Sequence, residues 1–265
     1  MKLPYFEIKK RSKVTLVVFV GRAKVGKSFL LNLIAEVCGL YNNKLCVLFD
    51  SDEQADRDFT RVDDVVKPMP MKCFDDIARI TGQAPVGCSL ILGDTAGASQ
   101  GFMAEVCSNQ KFLANSNLEL VAVIVTPDLL EYGDLTKRWL QIFKNSPRGF
   151  LIQNELECSG SDGPGLPLPE GIEAPAEMTI MRVPHLDRIV ANEISRIAVK
   201  IGDVADGRLD AKDSEILNWG PYQDMAALWA NETITALAPL IRFICDTVNA
   251  NAAKPASPHK PIASS

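Results

Sequence analysis

Six short apolar runs recur along the chain, at residues 14–20, 45–49, 89–92, 120–125, 149–153 and 179–183. Each has the length of a strand buried on both faces. Between most of them lie stretches with apolar residues at helical spacing, and another follows the last run, carrying Leu186, Val190, Ile194, Ile197 and Ile201. This alternation predicts an α/β fold in three layers, with a mostly parallel central sheet flanked by helices on both faces. The first helix is expected to begin near Lys27, to run through Leu30, Leu33, Ile34 and Val37, and to stop at Gly39, which can take a left-handed conformation. From Pro221 to about Asn249 a stripe of Ile234, Leu237, Ile241, Ile244 and Val248 predicts a core-facing helix that Pro239 kinks or divides.

Residues 159–176 read SGSDGPGLPLPEGIEAPA, too rich in Gly and Pro for a regular element. They are expected to form an exposed excursion, either a lid or partner surface or a plain insertion. Residues 251–265 carry one large apolar side chain, Ile262, and read as a disordered tail. The pattern therefore describes a single domain over residues 1–250, its C-terminal helices included.

Composition narrows the class. At 265 residues, with 47% apolar and 23% charged positions, the chain is of the soluble globular kind, which excludes disordered, collagenous and fibrous proteins. Lys and Arg total 28 against 33 Asp and Glu, so no overall positive field exists to hold nucleic acid or anionic lipid, and any such contact must be local. Seven cysteines form no C-x-x-C pair and only two histidines accompany them, which argues for reduced core thiols over a zinc site. The apolar run at 14–20 is too short for a membrane span, and Arg22 and Lys24 follow it where a signal cleavage site needs small residues. A cytoplasmic location without a membrane anchor is the expectation.

The sharpest chemical signal is GRAKVGKS at 21–28, which matches G-x-x-x-x-G-K-[ST] and lies between a predicted strand and a predicted helix. Gly21 and Gly26 let the backbone turn so that successive N–H groups face phosphate oxygens, and the helix N-terminus adds partial positive charge. Lys27 is expected to reach the β- and γ-phosphates, and the Ser28 hydroxyl to ligate Mg2+. Gly21, Arg22, Ala23, Lys24, Val25, Gly26, Lys27, Ser28 and Phe29 form the expected nucleotide-binding segment. A carboxylate from a neighbouring strand end should help hold the metal, and SLILGDTAG at 89–97 places Asp94 there. The second strand ends in LCVLFDSDEQADRD, whose Asp50 or Asp52 faces the nucleotide to position water or Mg2+, while Asp56 and Asp58 are solvated. Asp50 is taken as the further metal candidate and Asp52 as the catalytic one.

These passages resemble the ParA/MinD group of deviant Walker ATPases, SIMIBI-class P-loop NTPases that include plasmid partition and conjugation accessory proteins. The resemblance spans roughly residues 13–200. It rests on GRAKVGKS, on VLFDSDEQ at 47–54, similar to the group's D-x-D-P-Q strand end, and on ILGDTAG at 91–97, similar to its D-x-P-x-G switch. VAVIVTPD at 121–128 and FLIQN at 150–154 support it more weakly. It implies that Asn154 meets adenine and that the backbone near Pro184 closes over the base. The group's signature Lys is replaced by Arg22, which keeps the charge for a contact to the partner's phosphates across a dimer or else decorates the loop surface. Ala23 and Lys24 replace a Gly-Gly pair, and Ala96 replaces a Pro.

The resemblance implies a nucleotide-dependent switch: ATP and Mg2+ join two copies into a homodimer, and slow hydrolysis separates them, in plasmid or DNA segregation or transfer. GTP is less favoured, because NELE at 154–157 is a poor echo of the guanine-reading N-K-x-D. The alternatives are a P-loop small-molecule kinase or ATP-dependent ligase, and a nucleotide-binding scaffold with negligible turnover. Members of the group often bind DNA non-specifically, or meet a DNA-binding partner protein. Here Arg196, Lys200, Arg208, Lys212, Lys254 and Lys260 are the candidates, against the alternative of a solvated mixed-charge face.

Overall fold

Because side chains alternate across a strand, a run that is apolar at every position can only be satisfied by cover on both faces. The computed structural model, which describes residues 13–51, 58–85, 87–97, 99–109, 117–127, 133–146, 148–155, 173–210 and 212–252, meets that demand. Its strands are β1 (Val14–Val20), β2 (Cys46–Asp50), β3 (Lys67–Pro68), β4 (Leu90–Asp94), β5 (Leu118–Pro127), β6 (Gly149–Asn154) and β7 (Met178–Val183). They form one sheet in the order β3-β2-β4-β1-β5-β6-β7, with every pairing parallel.

The helices are α1 (Lys27–Val37), α2 (Asp58–Val62), α3 (Phe74–Gly82), α4 (Gln100–Ser108), α5 (Gly133–Ile142), α6 (Arg188–Ile197), α7 (Ile201–Ala205), α8 (Gly220–Ala236) and α9 (Ala238–Ala252). Two separate cores result. Val17 and Phe19 of β1 point into one, filled by α1 and α6 to α9, while Leu16, Val18 and Val20 point into the other, filled by α3, α4 and α5. The three-layer α/β/α arrangement follows directly from that period of two.

Several boundaries differ from the sequence expectation, each for a local reason. β3 carries no apolar run, since both of its residues are exposed. The spacing from Leu186 to Ile201 runs on through a break: Ala198 adopts φ 53°, a left-handed conformation that separates α6 from α7. The Asp187 carboxylate caps α6 by accepting from the Ile189 and Val190 N–H groups at 2.8 and 3.4 Å. Pro239 does divide the C-terminal stripe, with Leu237 between α8 and α9. The Ile241 N–H still reaches the Leu237 carbonyl at 3.0 Å, so the two helices run on almost continuously.

α9 extends through Ala252, so Asn251 and Ala252 belong to a helix and not to a disordered tail, while 253–265 lie outside the described residues. So do residues 159–172 of the Gly/Pro-rich excursion. None of the six described cysteines forms a disulfide, but only Cys88 is buried and Cys73 is exposed, so the expectation of core thiols is too broad. Burial pushes the Cys38 thiol up to about 12, with the neighbouring Cys245 adding to the effect. Among the described residues, no helix is long and apolar enough to cross a membrane.

Candidate phosphate-binding site

β1 delivers the chain to its C-terminal end at Val20, and α1 leaves from Lys27, so residues 21–26 must reverse it in a tight loop. Gly26, the residue before α1, sits at φ 87°, and no side chain caps the helix. Lys24 also takes a positive φ, 64°, in the position where the resembled group has glycine, so this loop is held in a conformation its own residue disfavours. The first N–H groups of α1 therefore remain as uncapped donors beside partial positive charge, the arrangement an anion requires.

Parallel register brings the other groups to the same edge. Asp94 ends β4 opposite Phe19 of β1, and Asp50 ends β2 opposite Asp94. Both carboxylates are buried. The Ser28 hydroxyl donates to Asp94 Oδ2, while Asp94 Oδ1, equally buried, has no hydrogen-bond partner. Lys27 is buried too, and its ammonium donates to the Arg22 carbonyl at 3.0 Å, folding the lysine back over the loop.

Burial pushes the Asp94 carboxyl up to about 7, against the opposing pull of the Lys27 charge and the Ser28 hydroxyl; the nearby Asp50 charge adds to the rise. The consequence for stability has a definite sign. Folded Asp94 holds its proton up to a higher pH than the unfolded chain, so stability falls as pH rises from about 4 toward about 7, then levels. An Asp94→Asn variant is expected to lose most of that decline, on the order of a few kcal/mol. Melting curves from pH 4.5 to 8 check it, and parallel profiles for the two proteins would contradict it.

The loop after β4 is anchored from both sides. The Thr95 N–H and hydroxyl both donate to the Phe19 carbonyl, at 3.1 and 2.7 Å, and the Ala96 N–H reaches Ser51 Oγ at 3.3 Å. Gly97 packs so closely on the 21–28 loop that a Cβ there would lie 2.5 Å from the Ala23 nitrogen. The 94–97 segment and the 21–28 loop are thus in direct contact, and whatever occupies one is felt by the other. Ser51 and Thr95 were not singled out in the sequence; a small polar residue directly after a strand-ending Asp is the signal they share.

Asn154 and Pro184 are both at this edge, with engagements the sequence did not suggest. Asn154, buried at the end of β6, donates its side-chain amide to the Val25 carbonyl at 2.9 Å. The Pro184 carbonyl accepts from Trp229 Nε1 of α8 at 2.8 Å, and Trp229 meets the Phe29 ring edge-on at 5.3 Å. Arg22, Ala23 and Lys24 are exposed along the loop, Val25 is buried, and Asp52 lies outside the described residues.

The oxygen donors fit Mg2+, a hard cation that is held by one or two protein oxygens together with phosphate and water. Asp94 Oδ1 is the buried, unpartnered oxygen such an ion would satisfy, with the Ser28 hydroxyl adjacent. Among the described residues no cluster of three His, Cys, Asp or Glu side chains stands ready for a metal, and an ion held this way needs none.

Three of the candidate DNA-facing cations are engaged with acids. Arg196 pairs with Glu193 at 2.6 Å, Lys200 with Asp63 at 2.7 Å, and Arg208 with Asp203 and Asp206 at 3.1 and 3.0 Å. Their charge is locally balanced, which favours the solvated mixed-charge face. Lys254 and Lys260 lie outside the described residues. No protein-family model and no curated protein matches this chain.

Proposed function

We propose that the protein is a Mg2+-dependent ATP-binding switch with slow hydrolysis, its triphosphate held by the 21–28 loop. The observation that carries this reading is the convergence of three features at one sheet edge. They are an uncapped helix start behind Gly26, the buried Lys27 ammonium, and a Ser28–Asp94 pair whose second carboxylate oxygen is unsatisfied. A buried ammonium beside two buried carboxylates costs desolvation that their mutual attraction and the Ser28 hydroxyl offset in part, and a bound metal and phosphate would offset more of it.

In this reading the loop amides and Lys27 bind and orient the phosphates, and Ser28 with Asp94 holds the metal. When bound, the ion supplies charge neutralisation at the β- and γ-phosphate oxygens. Positioning and charge neutralisation are what phosphoryl transfer to water requires. Arg22 lies exposed on the loop, and in this reading its guanidinium faces a second copy's phosphates. ATP is preferred to GTP on the sequence resemblance.

The test is light scattering of the full chain with and without ATP and Mg2+, using a non-hydrolysable analogue to hold the bound state. The mass is expected to double with nucleotide and to return when it is removed. A mass that never changes would remove the dimerisation switch from the account, and phosphate release that requires an added metabolite would favour a kinase or ligase.

A further inference from the structure

Helices α4 and α5 cover the same face of the sheet, α4 burying Phe102, Met103 and Val106 in the core there and α5 burying Trp139 and Leu140. Their outer flanks leave an open groove of about 480 Å³ between them. One wall carries Gln100, Ala104, Cys107 and Ser108, spaced as successive turns of a single stripe on α4. The other carries Arg138, Gln141 and Ile142 of α5, with Lys144 and Asn145 directly after the helix.

The groove carries charge of one sign. Arg138 and Lys144 line it, both exposed, and no Asp or Glu does. The acids of the two helices, Glu105 and Asp134, stand outside the lining. Neither cation forms an ion pair among the described residues, whereas Arg196, Lys200 and Arg208 are each balanced by acids. Ala104 and Ile142 add apolar surface, and Gln100, Gln141 and Asn145 add amides that both donate and accept.

We infer that this groove docks an acidic helical segment of a partner protein, its carboxylates on Arg138 and Lys144 and its apolar side chains on Ala104 and Ile142. Duplex DNA fits worse. Its affinity comes from many phosphate contacts, and two cations in a recess with apolar surface do not supply them. The inference does not depend on the phosphate-binding reading, since no residue of 21–28 or 94–97 lines the groove.

Amide chemical shifts of the full chain test it. The probe is a peptide of about 15 residues, long enough to hold a helix, with Leu and Ala on one face and Glu on its flanks. Saturable shifts are expected at residues 100–108 and 138–145. Affinity is expected to fall about tenfold when Arg138→Glu and Lys144→Glu are combined, because each change turns an exposed attraction into a repulsion. The charge-preserving pair Arg138→Lys and Lys144→Arg is expected to keep binding, and added salt to weaken it. Equal binding of a peptide with Gln in place of every Glu, shifts spread over other faces, or no shift at millimolar peptide would overturn the proposal. Duplex DNA that moves these amides where the peptide does not would overturn it in favour of nucleic acid. Groove shifts that grow with protein concentration alone would overturn it in favour of a second copy of the chain. If the double Glu variant does not fold, the comparison of the Glu and Gln peptides on the wild-type protein decides.

Discussion

Lys27→Ala is expected to weaken Mg–ATP binding by about a hundredfold, the effect of removing one buried charge from a charged contact, about 3 kcal/mol. The lysine is buried, so its ammonium has been stripped of water before any ligand arrives, and at present it is satisfied by the Arg22 carbonyl at 3.0 Å. A triphosphate gives that ammonium a better partner than a neutral carbonyl. The substitution also removes the cation that opposes ionisation loss at Asp94, so the carboxyl rises further and the metal site weakens in step. Calorimetric titration of both proteins checks this. Equal affinities would separate the lysine from the ligand and reject the assignment.

Gly21→Ala is expected to destabilise the whole domain by about 3 kcal/mol or more, through overpacking and a disallowed backbone together. Its φ is 150°, and a Cβ would stand 2.3 Å from the Val125 carbonyl oxygen. That oxygen belongs to the central strand β5, paired to β1 on one side and β6 on the other, so it cannot swing aside as a side chain can. Gly26→Ala meets only the Asn154 amide, a side-chain atom, and should cost less stability. Urea denaturation of the two variants orders them, and a Gly21→Ala loss below about 1 kcal/mol would show that the β1–β5 junction is softer than its geometry indicates.

The strands were legible because a run such as 14–20 has a single polar position, Thr15, which is buried with the rest, and only a sheet covered twice accommodates it. The tight turn at 21–26 was legible because its glycines answer to backbone geometry that Gly21 and Gly26 in fact adopt. Asp94 followed from its place at the end of an apolar run. What the sequence does not carry is strand order. Asp50 and Asp94 become neighbours only because β4 lies between β2 and β1, and Asn154 can reach Val25 only because β6 packs beside β5.

Pairings across long separations are hidden for the same reason. Lys200 reads from the sequence as one cation among interspersed acids, and only the fold brings Asp63, distant in sequence, beside it at 2.7 Å. The resemblance assigns the backbone near Pro184 to the base, and nothing in the sequence shows that its carbonyl accepts from a tryptophan of α8, a helix whose only sequence signal was an apolar stripe. The left-handed Ala198 interrupts a helical period that continues unbroken in the residues, so periodicity alone could not place the end of α6.

The central claim is that residues 21–28 hold a triphosphate, and amide chemical shifts of the full chain titrated with Mg–ATP test it most directly. The account predicts saturable shifts concentrated at residues 21–28 and at Asp94 to Gly97, with Gly26 and Lys27 moving most. Shifts absent from that loop at saturating nucleotide, or confined to another part of the molecule, would contradict it.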